Sequence, residues 1–206
     1  MFNILQENDL AVWVSPMFQN LLENLIQLDT ALFYFLNVKL QNGFFNFLMP
    51  ILTNLDYWRI PLGLMAISLL VFGKKKGRIT VILLVLGITL SDQLCNSLIK
   101  PLVGRIRPCN VLENIHLLVN CTKSYSFPSS HAVNMFTGVT LLSYSYRKIR
   151  VLLFIIAILV SYSRIYVGVH YPFDVLAGVI LGIFCAFVIL ILYKFLSKNF
   201  RGFSYL

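Results

Sequence analysis

The chain has 206 residues, 58% of them hydrophobic and 12% charged, with a mean hydropathy of +0.80, which excludes an ordinary soluble domain with a well-charged surface. Its formal net charge of +9 does not point to nucleic acid. Ten of the 17 basic residues form three clusters (Lys74, Lys75, Lys76 and Arg78; Arg147, Lys148 and Arg150; Lys194, Lys198 and Arg201), each at the end of an apolar run rather than interleaved with stacking aromatics.

In chain order, Met1–Asn8 lacks the basic n-region of a signal peptide, and Glu7 and Asp9 precede the first apolar stretch. Leu10–Leu22 and Ala31–Val38 are apolar but short, with Pro16, Glu23, Asp29 and Lys39 among them. For residues 1–56, amphipathic helices lying in the interface and one tilted span fit equally well. Residues 55–73 read as a span, with Tyr57 and Trp58 at the level of an interfacial aromatic belt. Four better-defined helices follow, over 78–100, 131–147, 149–169 and 174–194. The segment 101–130 is a polar loop rich in Pro, Gly, Asn and Ser, with a short helix expected near Glu113–Val119. The fold class is all-α: a polytopic transmembrane bundle of five to six spans. It is one domain overall, with residues 57–206 as its transmembrane body.

The charges then fix an orientation. A helix rises about 1.5 Å per residue, so Arg78 to Lys100 spans roughly 33 Å, Arg150 to His170 about 30 Å and His131 to Arg147 about 24 Å. One end of each is a basic cluster, which belongs in the cytoplasm. Lys100, His131, His170 and Asp174 therefore gather at the non-cytoplasmic face. Arg164 lies about 9 Å deeper than His170 if its helix continues. Asp92, Asn96 and Lys100 share a helix face, and Asp92 reads as a residue paired inside the bundle.

Three segments carry chemistry: Lys100 to Pro108, Pro128 to His131, and Ser163 to Asp174. Together they hold four cations, two imidazoles, a carboxylate and a serine-rich turn, which suits phosphoryl transfer. A carboxylate four residues from His170 fixes its tautomer and leaves the other nitrogen free to attack phosphorus. His131 serves as general acid and then base. Ser129 and Ser130, just before a helix, form an anion-binding turn. Singly, each residue has a structural reading: a cap, a brace between helices, or a solvated interface anchor for Lys100, Arg105 and Arg107. It is the ordered set at one membrane depth that argues for a site.

The three segments resemble the signature of the type 2 phosphatidic acid phosphatase superfamily. That pattern is Lys, six residues, Arg-Pro; Pro-Ser-Gly-His; and Ser-Arg, five residues, His, three residues, Asp. Lys100, Arg107-Pro108, Pro128-Ser129, His131, Ser163-Arg164, His170 and Asp174 match it, and Ser130 stands where the family has Gly. The resemblance implies a metal-independent membrane phosphatase without a cofactor. His170 would be its nucleophile, Asp174 the orienter and His131 the acid and base, with Lys100, Arg107, Arg164, Ser129 and Ser130 holding the phosphate. Its partners would be the bilayer and a lipid phosphate, with undecaprenyl diphosphate as first choice. Phosphatidate, phosphatidylglycerol phosphate and lipid A phosphate are alternatives, and so is phosphotransfer.

Cys95 and Cys185 fall in predicted helices as small core residues. Cys109 and Cys121 both fall in the outer loop, where a disulfide and free thiols are both open readings. His116 is read as solvated. No Cys/His spacing suggests a metal site. A transporter with intramembrane charges and an inactive helical scaffold are the competing classes.

Overall fold

The computed structural model describes residues 16–199. The readings of Met1–Asn8, of the start of Leu10–Leu22 and of Arg201 lie outside the described residues. Among those described, seven helices of eleven residues or more carry the fold: α1 (Pro16–Tyr34), α2 (Gly43–Thr53), α3 (Leu55–Val71), α4 (Lys74–Gln93), α5 (Ser130–Ser145), α6 (Arg150–Tyr166) and α7 (Pro172–Asn199). The chain is an all-α membrane bundle, and no strand occurs among the described residues.

Its axis is α5, in which nine of sixteen residues are buried between α4, α6 and α7. In lipid, helices gain little from hiding apolar surface from one another, so close approach depends on small residues. Gly178 and Gly182 supply it on α7. A Cβ at Gly182 would sit 2.4 Å from the Val133 carbonyl oxygen, and one at Gly178 would sit 2.8 Å from that of Ser129.

The two ends of α5 are fixed differently. At one, the Thr80 hydroxyl donates to that of Ser145 (2.8 Å), while Lys76 lies over the ring of Tyr146 and Lys194 over that of Tyr144. Basic residues from α4 and α7 therefore share an end with the 147–150 turn that follows α5. At the other end, the Ser129 amide donates to the Asp174 carbonyl oxygen (3.0 Å), and the loop from Gly104 to Ser129 closes over the bundle.

Three stretches among the described residues are long and apolar enough to cross a membrane, Lys74–Val111, Arg147–Tyr166 and Pro172–Lys198, fewer than the five to six expected. The reason is length. The α5 helix has 16 residues and α3 has 17, so each measures about 24–26 Å against a hydrocarbon core of about 30 Å. The short α5 still runs beside its longer neighbours because they, not it, meet the lipid.

Further differences have local causes. The helix expected to reach 169 ends at Tyr166, because Gly168 takes φ +88° and turns the chain. A π-helical turn, Leu94–Ile99, inserts extra rotation before Lys100. Lys100 is thereby buried while Asn96 stays exposed, so the two do not share a face. Residues 113–119 form no helix; the short one is Pro108–Val111. Asn114 is left-handed, and the side chain of Asn37 takes the His116 amide (2.8 Å), which draws that stretch out of helical geometry.

The described N-terminal helices pack on the bundle through Asn37 and His116. Asn37, fully buried, also donates to the carbonyl oxygens of His116, Ile165 and Tyr166 at 2.7–3.2 Å. His116 is not solvated: it is half-buried, bonds Asn46 at 2.9 Å and meets Tyr166 edge-on. Cys109 and Cys121 are joined by a disulfide, and Cys95 and Cys185 are buried free thiols.

Candidate active site

The turn after α6 builds one half of the site. Once Gly168 has reversed the chain, the amides of Val169 and His170 both donate to the Arg164 carbonyl oxygen (3.2 Å each). His170 therefore sits beside Arg164 rather than a further 9 Å or so out along a continued helix. Tyr171 precedes α7, which starts at Pro172. Asp174 reaches back to accept from the Tyr171 amide (2.9 Å), as an acidic residue in a first helical turn does. That bond turns its carboxylate toward His170, with Nδ1 and Oδ2 3.4 Å apart.

The tautomer of His170 follows from its other nitrogen. Arg107 Nη1 lies 3.0 Å from Nε2, and a guanidinium can only donate. Nε2 therefore offers its lone pair, and the proton sits on Nδ1, facing Asp174. Burial first, then the nearby cations of Arg164, Arg107 and Lys100, holds the imidazole well below its ordinary range. At neutral pH it is uncharged.

Arg107 is locked in place by the loop. Its Nε donates to the Ser124 carbonyl oxygen (2.9 Å), Nη2 to the Ser124 hydroxyl (3.0 Å) and Nη1 to the Val169 carbonyl oxygen (3.1 Å). Arg164 Nη1 donates to the Thr53 hydroxyl. The same Thr53 offers its carbonyl oxygen to His131 Nε2 (3.2 Å), so that nitrogen carries a proton. Lys100, 8% exposed, has no ion pair among the described residues, and neither has Arg107 or Arg164. Three donors of this cluster, Arg164 Nε, the Ser129 hydroxyl and His170 Nδ1, are buried without a hydrogen-bond partner among the described residues. A buried polar group left unpaired costs about 1–3 kcal/mol.

The structure thus brings Lys100, Arg107, Arg164, His131, His170, Asp174 and Ser129 around one place. Ser130 differs: its hydroxyl donates to Asn96 Oδ1 (2.8 Å) and approaches the Cys95 sulfur. Asp92 accepts from Asn96 (2.8 Å) and Asn134 (3.1 Å), inside the bundle. A cavity of about 600 Å³ opens beside the cluster, with His131, Arg164 and Thr53 in its wall and apolar Ile51, Leu118 and Val119 around them. Among the described residues no three His, Cys, Asp or Glu side chains group as metal ligands.

Sequence reasoning missed Thr53, Ser124, Asp29 and the real position of Arg105. Asp29 carried one readable signal, an acid alone in an apolar stretch. Thr53 and Ser124 carried none.

The geometry defines an all-α membrane protein with a cationic recess around an uncharged imidazole. Comparison with known proteins gives it a family. The profile of the PAP2 superfamily matches residues 80–198. Lipid A 4'-phosphatase of Bacteroides thetaiotaomicron is 36% identical over 171 residues, covering 79% of this chain and 75% of that one. Undecaprenyl-diphosphatase of Sulfolobus acidocaldarius is 39% identical over 139 residues, 59% of this chain and 68% of that one. The crystal structure of Aquifex aeolicus LpxE superposes with a TM-score of 0.68 at 31% identity, covering 79% of this chain and 94% of the other. The chain belongs to the PAP2 superfamily, among its membrane lipid phosphatases.

Proposed function

We propose that the protein hydrolyses a lipid-borne phosphate through a phosphohistidine at His170, without a metal ion. The observation that carries this reading is the cluster of Lys100, Arg107 and Arg164: three cations without a carboxylate ion pair among the described residues, beside a histidine whose Nε2 lone pair faces Arg107. Nε2 attacks phosphorus and the bond from phosphorus to the lipid oxygen breaks. The Nδ1 proton stays against Asp174. His131, which takes a second proton as the anionic phosphate enters beside it, gives its Nε2 proton to the leaving oxygen and remains as the neutral imidazole at the border of the open cavity. Water then gives a proton to His131 and attacks the phosphorus, releasing inorganic phosphate and the free imidazole. The three cations, with Ser129, spread the charge that a metal ion would otherwise offset. Ser130 is the weakest of the assigned ligands, since its hydroxyl is turned to Asn96.

The basic clusters at the far end of the bundle support a site at the non-cytoplasmic face of the cell membrane. Two substrate readings have support. Undecaprenyl diphosphate is favoured by the Sulfolobus relative, and lipid A phosphate by the longer match to the Bacteroides one. Purified protein in detergent is tested on undecaprenyl diphosphate, lipid A, phosphatidylglycerol phosphate and phosphatidate, with and without EDTA. Release from at least one, unaffected by EDTA and absent in His170→Ala, is expected. Release that survives in His170→Ala would sink the nucleophile.

A further inference from the structure

Arg105 is the one cation near the site that is already neutralised, and it is neutralised twice. Its Nη1 lies 2.7 Å from Asp174 Oδ1 and its Nη2 2.7 Å from Asp29 Oδ2, with side-chain exposures of 22% for the arginine and 0% and 1% for the two acids. The guanidinium stacks on Tyr171, 3.9 Å from the ring centroid. Only arginine can hold two carboxylates on one fork while its plane rests on an aromatic face. Asp29 also accepts from the Phe173 amide (2.8 Å), which ties α1 to the first turn of α7.

The charge count gives the arrangement its meaning. Arg105 paired with Asp174 alone would cancel the negative charge that the Nδ1 proton of His170 needs opposite it. A second carboxylate returns one negative charge to the group. Asp174 Oδ1 is held by Arg105 and Oδ2 by the Tyr171 amide, so the carboxylate cannot turn away from His170.

We propose that Arg105 and Asp29 are positioning residues of the hydrolysis described above, locking Asp174 against His170 and leaving the group of three one net negative charge, so that the N-terminal helix takes part in orienting the nucleophile. The inference rests on that reading of His170. The groups facing His170 are Asp174, Lys100, Arg107, Arg164 and His131; those facing Asp174 are His170, Arg105, Asp29 and Tyr171.

The test compares Asp29→Asn, Arg105→Gln and Arg105→Lys in the purified full chain. Asp29→Asn leaves Arg105 wholly to Asp174, so the acid limb of kcat/KM moves to lower pH and kcat falls roughly tenfold. Arg105→Gln frees the carboxylate to turn, with a loss of about 10²-fold in kcat, partly restored in Arg105→Lys. Inhibition by inorganic phosphate stays within about twofold in all three, because Lys100, Arg107 and Arg164 are untouched. An Asp29→Asn protein with unchanged kcat and unchanged acid limb would overturn the proposal. So would phosphate inhibition that weakens in step with kcat, which would make Arg105 a ligand instead. If one substitution prevents folding the other decides; if both do, the group is scaffold and the assignment fails. Wild-type protein inactive on every lipid would sink the hydrolase reading itself, which is a separate result.

Discussion

The two ends of the bundle use the same residue types for opposite purposes. At one end Lys76 and Lys194 lie over tyrosine rings at 5.1 and 5.6 Å, where water and the aromatic faces satisfy them. At the other, Lys100 and Arg107 are buried, with Arg164 beside them, and none has a carboxylate partner among the described residues. A solvated cation sets orientation at little cost. A buried one without a counter-charge costs several kcal/mol and is kept only where an anion repays it.

That contrast can be broken experimentally, and the largest effect should come from the nucleophile. His170→Ala should lower kcat by about 10⁴-fold or more and abolish any acid-labile phosphoprotein formed on rapid quenching. Arg164→Ala or Arg107→Ala should cost about 10²–10³-fold and weaken inhibition by inorganic phosphate. Phosphate inhibition unchanged in both would mean that the recess is not the phosphate site. Thr53→Val removes the hydroxyl that takes Arg164 Nη1 but keeps the carbonyl at His131, so a loss of roughly tenfold is expected. Thr53→Ser should recover most of it. At the solvated end, Lys194→Ala should change kcat by less than about twofold. A loss there comparable to that of Arg164→Ala would erase the distinction.

The pH profile sharpens the same comparison. Burial and three cations hold His170 below its ordinary value, so the acid limb of kcat/KM should lie below about pH 6.5. The sign for stability runs the same way. The unfolded chain takes up a proton at that histidine before the native one does, so this group's contribution is lost as pH falls below the ordinary range, not as it rises. An acid limb well above that range would place a protonated imidazole at the attack position.

Most of the side chains that the structure gathers were legible because they are local in sequence. The spacings from Lys100 to Arg107 and from Arg164 through His170 to Asp174 sit in three short segments with charged residues where apolar ones should be. What was not legible has no spacing. Thr53 matters because α2 ends beside His131 and Arg164; Asn37 because it bridges a loop and a helix end 79 and 129 residues away. Replacing Asn37 with Leu leaves the His116 amide and three carbonyl groups without that partner, a destabilisation of about 2–4 kcal/mol measurable as a lowered unfolding midpoint. The same distance hid Asp29, whose partner on Arg105 lies in the loop after α4.

By itself, the sequence determined the membrane class, the shared end of the basic clusters and the three segments whose cations and imidazoles gather, because hydropathy and charge act along the chain at helical pitch. The tertiary structure decided which cations stay unpaired, which way His170 carries its proton, and that the N-terminal helices brace the site. Those outcomes depend on which carboxylates and carbonyls come within about 3 Å once helices pack, and one-dimensional spacing holds no record of that.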